Sequence, residues 1–285
     1  MSLPLEQLSA QIPGSTPALL EWIRTQLQAG HAPTQLLRSL EQAGWQSHIA
    51  HSAVDMLHTQ SLPAPKLMHL PHVDLSQLAS TLEISPQPIQ VLLSLEKPHL
   101  VLLGNVLSHA ECDQLIEDAR PAMARSKTVS TQSQGEEVNP DRTSDGMFFQ
   151  RGQTPLIQTI EARLAKLLNW PLENGEGLQV LNYRPGAQYK PHHDFFNPQE
   201  PSSAPILRRG GQRVATLVMY LNDVPAGGCT YFPETQLRVH PRKGHAVFFS
   251  YATPHAHTLT LHGGDPVISG EKWIATKWLR AHRFD

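Results

Sequence analysis

Residues 189–196 read YKPHHDFF, two adjacent histidines running into an aspartate in a chain that holds 16 histidines. In a strand the side chains alternate between faces, so residues two apart point the same way. His192 and Asp194 then share one face, and His193 turns to the other. An imidazole beside a carboxylate supplies two ligands of the 2-His-1-carboxylate triad, which holds Fe(II) and leaves the opposite positions open for substrate and oxygen. By itself the pair is a weak sign. A third ligand is expected from a later strand, followed by a cation able to hold an anionic co-substrate. The stretch 262–278, HGGDPVISGEKWIATKW, offers His262 and, ten positions on, Lys272. His255 and His257 lie close enough to compete for the third position. In PHAHTLTLH, alternation puts those two on one face with Leu259 and Leu261, and His262 on the other at the strand end.

Such groups need a rigid scaffold, and the second half of the chain reads as one. From residue 178 the runs LQVLNY, QYKPHHDF, RVATLVMYL, CTYFP, LRVHP, HAVFFS, HTLTL and KWIATKWLR follow one another, punctuated by Gly and Pro. Short strands at such intervals predict a β-sandwich or jelly roll rather than a βαβ fold. Upstream, HLVLLGNVL reads as a strand and Ser108–Glu111 as a capping box that opens a helix. Thr154-Pro155 starts another helix, apolar at Leu156, Ile160, Leu164 and Leu168. Residues 126–146 are polar and aperiodic, a long loop of the kind that is functional in compact domains. Near the amino terminus, three amphipathic helices start at Thr16-Pro17, at Pro33 and near residue 47, with Trp22 and Trp45 filling their centre. The predicted organisation is α+β. A small helical bundle spans 1–60, a proline-containing connecting segment spans 61–97, and a catalytic domain spans 98–285 with its β core at about 178–281.

Composition narrows the function classes. The 285 residues are 40% hydrophobic and 17% charged, with a formal net charge of -2. A nucleic-acid partner, which calls for a basic excess, is not expected. The two cysteines, Cys112 and Cys229, cannot build a disulfide framework or a four-thiolate zinc site. No secretory signal and no apolar run long enough to span a bilayer is evident, so a soluble, cytoplasmic protein without a membrane partner is expected. Oligomeric state is left open.

Several stretches together resemble the prolyl 4-hydroxylase type of Fe(II)- and 2-oxoglutarate-dependent dioxygenase: 178–195 (LQVLNYRPGAQYKPHHDF), 211–222 (GQRVATLVMYLN), 227–233 (GGCTYFP), 243–249 (KGHAVFF) and 262–278. The resemblance covers roughly residues 98–283, with weaker similarity over 98–119 and at Arg142-Thr-Ser144, and leaves residues 1–75 outside it. It implies a double-stranded β-helix with flanking helices. His192, Asp194 and His262 fall on the iron ligands, and Lys272 on the basic residue that pairs with the distal carboxylate of 2-oxoglutarate. Tyr183 falls on a tyrosine that bonds the same carboxylate, while Thr216, Tyr220 and Trp278 are implied to line that pocket or its neighbourhood. Arg213 matches an arginine beside the substrate groove and is the candidate catalytic side chain outside those sets. Arg142, Thr143 and Ser144 are candidates for a lid over bound substrate. The implied cofactors are Fe(2+), 2-oxoglutarate and O2, with ascorbate as reductant. The implied reaction hydroxylates an unactivated C–H of a peptide or protein substrate, a peptidyl proline at C4 first of all, and releases succinate and CO2. Another residue, a small molecule, or a non-catalytic cupin-like binding role are the alternatives. The amino-terminal bundle is either a recognition module or a passive cap.

Overall fold

The computed structural model describes residues 5–10, 12–29, 31, 33–61, 70–125, 127–129, 136–138 and 143–285. The chain divides into two compact units, residues 1–69 and 70–285. No helix among the described residues is long and apolar enough to cross a membrane.

The first unit is helical, with α1 (Leu5–Ala10), α2 (Pro17–Gln28), α3 (Pro33–Gln42) and α4 (Ser47–Ser61). The Thr16 hydroxyl caps α2 by accepting a hydrogen bond from the Leu19 N–H, and Pro17 sits in the first turn, where its missing N–H costs nothing. Leu8, Leu20, Ile23, Leu36, Leu40, Val54 and Leu57 form the core. Two expectations change. Helix α1 precedes the three predicted ones and contributes Leu8. Trp22 is 40% exposed rather than central, because Leu19, Leu20 and Ile23 already fill the inward stripe of α2. Trp45 is partly buried against the core.

The second unit is built on two antiparallel sheets. The strands that carry it are β1 (Ile89–Leu95), β2 (His99–Gly104), β3 (Asp145–Phe149), β4 (Leu178–Tyr183), β5 (Tyr189–His192), β6 (Arg213–Tyr220), β7 (Thr230–Phe232), β8 (Leu237–Val239), β9 (Ala246–Ser250), β10 (His262–Gly264) and β11 (Lys272–Arg280). The large sheet runs β1-β2-β9-β6-β11-β4-β3, with the two-residue strands Thr81–Leu82 and Ala124–Arg125 at its edges, and the small sheet runs β8-β7-β10-β5. From β4 onward the pairing is nested: β4 with β11, β5 with β10, β6 with β9 and β7 with β8. Eight strands paired first to last behave as one long hairpin. Successive pairs alternate between the two sheets, and the result is a double-stranded β-helix.

Residues 70–97 differ from the connecting segment predicted for 61–97. Strand β1 pairs with β2, and Val73 and Ile89 are buried in the core of this unit, so 70–97 is part of it. The polar stretch 126–146 also departs from a plain loop. Residues 127–129 pair with 136–138, and Ala124–Arg125 pairs with Asp145–Gly146.

The central strands of the large sheet, β4, β6, β9 and β11, are buried on both faces, which is why they read as nearly unbroken apolar runs. One face packs on helices α5 (His109–Ala119) and α6 (Pro155–Leu167), through Leu217 and Met219 of β6 and Trp273, Ala275 and Leu279 of β11. The other face looks into the barrel and carries the polar exceptions. In β11 these are Lys272, Thr276, Trp278 and Arg280, all lining one cavity. The α5 capping box is formed as predicted, Ser108 with Glu111, and Arg163 of α6 braces the same Glu111 with two bonds of 2.6 and 2.8 Å.

On the helix side, Lys277 of β11 is buried against Glu161 of α6 at 2.5 Å, with side-chain exposures of 3% and 1%. Lys277 also donates to the Glu176 carbonyl, and Glu161 accepts from the Gly152 N–H. Removing one partner of such a pair strands a buried charge. Glu161→Ala is therefore expected to lower unfolding free energy by about 3–5 kcal/mol in a urea titration. A loss within experimental scatter would contradict the pair's structural role.

Candidate active site

The register of β5 against β10 sets His192 directly opposite His262, and their ring centroids are 4.5 Å apart. In both, Nδ1 faces a backbone carbonyl two residues back: Lys190 at 2.9 Å for His192 and Thr260 at 3.0 Å for His262. A ring that donates from Nδ1 keeps its lone pair on Nε2. Both Nε2 atoms point at Asp194, which lies 3.5 Å from His192 through Oδ1 and 3.6 Å from His262 through Oδ2. One ligand atom from each of the three residues falls within 4.8 Å of the others. Two imidazole Nε2 atoms and one carboxylate oxygen, clustered at the wall of a cavity, fit a facial-triad metal.

Asp194 reaches this position by a different route from the predicted one. Strand β5 ends at His192, and Asp194 lies in the bend that follows. The bend, not strand alternation, returns the carboxylate to the face of His192. It also leaves His193 half-buried and stacked on Phe195 at 4.5 Å, rather than turned outward. The competing histidines fall away for a similar reason. Residues 256–258 form a short 3-10 turn, not a strand, and His255 and His257 contact each other there through Nδ1 at 2.8 Å.

The environment keeps the ligands in their binding forms. Burial pushes the Asp194 carboxyl toward protonation, but the neighbouring His262 and His192 rings and the Arg213 charge outweigh it and hold it well below the carboxylate range. Burial pushes His262 down to about 4 against the pull of Asp194, so the ring is neutral at physiological pH. Asp194 Oδ2 accepts a 2.7 Å bond from the Thr216 hydroxyl, which also contacts the Tyr251 hydroxyl at 3.0 Å. A carboxylate can only accept, so the Thr216 proton goes to Asp194 and Tyr251 donates to Thr216. Thr216 is thus a support for the metal ligand rather than a pocket wall. Arg213 is likewise engaged. Its Nε and one terminal nitrogen bind Glu176 at 2.7 and 2.9 Å, the other reaches the Asp194 carbonyl at 3.4 Å, and its guanidinium lies 4.0 Å over the Trp278 ring. Arg213 therefore acts on this site by holding the Asp194 bend and backing Trp278.

Lys272 opens β11 directly opposite Tyr183 of β4. Both are buried, and the ammonium stands 5.5 Å from the Tyr183 ring centroid and 6.0 Å from that of Tyr220. Among the described residues no carboxylate forms an ion pair with it. Burial lowers its pKa to about 8. Lys272, Tyr183 and Thr230 line the same cavity as the three ligands, a space of about 980 Å³. Tyr220 stands behind it and donates its hydroxyl to Thr230 at 2.8 Å. A β-carbon at Gly263, next to His262, would come within 2.8 Å of both the Tyr189 carbonyl and the Tyr231 ring, so only glycine lets the two strands close here.

Thr230, Tyr251, Glu176 and Tyr189, which stacks on His192 at 3.7 Å, are site residues that the motifs did not single out. For Thr230 the signal was present, since it lies within the GGCTYFP stretch. Of the suggested lid, Arg142 lies outside the described residues. Thr143 is tied to Gln188 by reciprocal bonds of 3.0 and 2.8 Å, and Ser144 is buried.

Residues 178–280 match the family model described as the 2OG-Fe(II) oxygenase superfamily. The chain is 38% identical over 209 residues to prolyl 4-hydroxylase 5 of Arabidopsis thaliana, covering 66% of this chain and 70% of that protein. Prolyl 4-hydroxylase 1 of the same plant is 42% identical over 201 residues, covering 64% of this chain and 69% of that protein. A solved viral collagen prolyl hydroxylase from Paramecium bursaria Chlorella virus-1, in its 2OG complex, matches with a TM-score of 0.50 and 32% identity, covering 64% of this chain and 95% of that chain.

Lys272 has a pH signature. Below pH 8 the ammonium is already charged when a dicarboxylate arrives, and above it binding must first take up a proton. Calorimetric titration of 2-oxoglutarate into anaerobic, metal-loaded protein should give a flat affinity below pH 8, then a loss of about tenfold per pH unit above it. Lys272→Met should bind weakly at every pH and show no such break. A wild-type profile without a break near pH 8 would remove Lys272 from the assigned role.

Proposed function

The chain belongs to the prolyl 4-hydroxylase branch of the 2OG-Fe(II) oxygenase superfamily and is a 2-oxoglutarate-dependent dioxygenase; from that premise we propose that its substrate is a peptidyl proline, hydroxylated at C4. The observation that carries the catalytic reading is the paired placement of opposite charges in one cavity. Asp194 stands between the two imidazoles on one side, and Lys272 is buried opposite Tyr183 on the other. A non-catalytic barrel has no use for a desolvated lysine, because burial lowers its pKa and, among the described residues, no carboxylate forms an ion pair with it, Asp265 offsetting that cost only in part.

Each residue has a definable task. His192 and His262 present Nε2 because their Nδ1 atoms are committed to carbonyls. Asp194 supplies the one protein anion, held in orientation by Thr216 and through it by Tyr251. Iron(II), once bound with 2-oxoglutarate and O2, supplies the oxidising power: one oxygen atom goes to the substrate C–H and the other to succinate, with CO2 released. Lys272 binds the far carboxylate of the co-substrate by a charge-assisted contact, with the Tyr183 hydroxyl as second partner. Ile274, Val218 and Leu181 between these two ends line the cavity with hydrocarbon and limit water there. The substrate reading is supported by the names of the relatives and by the cavity's continuation past the ligands to the surface, where a polypeptide can enter.

Purified protein supplied with Fe(II), ascorbate and 2-oxoglutarate should form succinate in step with a one-oxygen mass gain on the proline of a proline-containing peptide. His262→Ala should abolish both products. Turnover that modifies a different residue, or only a small molecule, would reject the prolyl reading. Undiminished turnover in His262→Ala would reject the site itself.

A further inference from the structure

Between β9 and β10 the chain makes a turn that reaches the active-site cavity and carries two imidazoles facing each other. His255 lines the cavity with Pro254 and Ala256. Residues 256–258 form a 3-10 turn with His255 as its N-cap, and Leu259 closes it in the left-handed region at φ 55°. A leucine takes that conformation only where its surroundings hold it. Here the Thr258 hydroxyl donates to the His255 carbonyl at 2.8 Å, and the Leu259 N–H donates to the Ala256 carbonyl at 2.8 Å. The turn sets His255 Nδ1 2.8 Å from His257 Nδ1, with the ring centroids 4.7 Å apart. His255 is half-buried and His257 is exposed, so solvent reaches the pair.

We propose that His255 and His257 are the protein ligands of a second metal site, separate from the His192–Asp194–His262 triad and selective for copper(II), with Thr253 supporting His257. The distance selects the ion. At the usual imidazole-to-metal length of about 2.0–2.1 Å, two nitrogens 2.8 Å apart subtend about 86° at a shared ion. Tetrahedral zinc would call for nitrogens about 3.3 Å apart. A right angle is the cis arrangement of tetragonal copper(II) or nickel(II), and of the two copper(II) binds imidazole more tightly. Water completes the shell on the exposed side.

The hydrogen atoms can be placed to suit either state. The His257 backbone N–H donates to His255 Nδ1 at 3.2 Å, so that nitrogen carries a lone pair. Without an ion, His257 Nδ1 holds the proton that bridges the two rings. His257 Nε2 lies 3.2 Å from the Thr253 hydroxyl, a group that accepts as readily as it donates. Moving the His257 proton from Nδ1 to Nε2 turns the second lone pair toward the ion and gives the Nε2–H to Thr253. Both rings stay neutral. Metal-binding imidazoles usually have such a partner on their other nitrogen.

The test uses the full-length chain and copper(II) as the probe. Asp194→Asn supplies the background, because it removes the carboxylate of the triad. Excess copper(II) is added, and the metal retained after gel filtration is counted. Adding His255→Ala or His257→Ala should lower the retained copper by about one equivalent and remove an electron paramagnetic resonance signal split by two nitrogens. Thr253→Val keeps both ligands and should weaken the site by about 10–100-fold in a direct titration. With Asp194 restored, each of the three variants should retain Fe(II) as the wild type does, which separates loss of the site from loss of the fold. Equal copper retention with and without the two histidines, or splitting from a single nitrogen, overturns the assignment.

Discussion

The Asp194 carboxylate is buried, and burial on its own would protonate it and end its use as a metal ligand. What keeps it ionised is a set of groups from four separate segments. His192 and His262 face it from β5 and β10, Thr216 from β6, Tyr251 from the segment after β9, and Arg213 holds its backbone from the start of β6. Arg213 in turn needs Glu176, just before β4, and Glu176 also takes Arg280 at the end of β11. One desolvated anion thus organises both ends of the barrel. The second buried charge, Lys272, sits apart from this network, with its ammonium beside the rings of Tyr183 and Tyr220.

The nested strand pairing makes the arrangement possible. A hairpin of eight strands brings residues distant in sequence into cross-strand register, so that His192 meets His262 and Tyr183 meets Lys272. Both pairs join an early strand to a late one. The large sheet is locked on its outer face by α5 and α6 and by the buried Lys277–Glu161 contact, which leaves its inner face free to carry polar side chains. Precision at the site then comes from strands whose other face is fully packed, a stiffer support than loops.

Much of this was legible in the residues, and the failures share a cause. Helix starts at Thr16-Pro17, Ser108 and Thr154-Pro155 are local capping signals, and the structure uses all three. In β4 and β11, and in β6 past the bulge near its start, the alternation of faces also holds, because those strands are paired on both sides. Alternation misleads where pairing stops. Alternation across residues 188–195 and 254–262 fails because β5 ends at His192 and residues 256–258 are a 3-10 turn, so the position of Asp194 and the disposition of His255 and His257 have other origins. Residues 70–97 looked like a connection because their prolines outweighed one strand, whose partner β2 lies in the next segment. The contacts of Thr216, Tyr251 and Glu176 carry no sequence signature of their own. They exist only once the sheet closes.

The proposed function divides the labour: Asp194 and the two histidines would hold the metal, and Lys272 would serve only the co-substrate. The direct measurement is anaerobic Fe(II) titration of the wild type, Asp194→Asn and Lys272→Met, with retained iron counted after gel filtration. Asp194→Asn should lose affinity by more than the roughly 10–100-fold that follows removal of a supporting partner. Lys272→Met should retain iron as the wild type does. Equal loss of iron in the two variants, or normal retention by Asp194→Asn, would contradict the account.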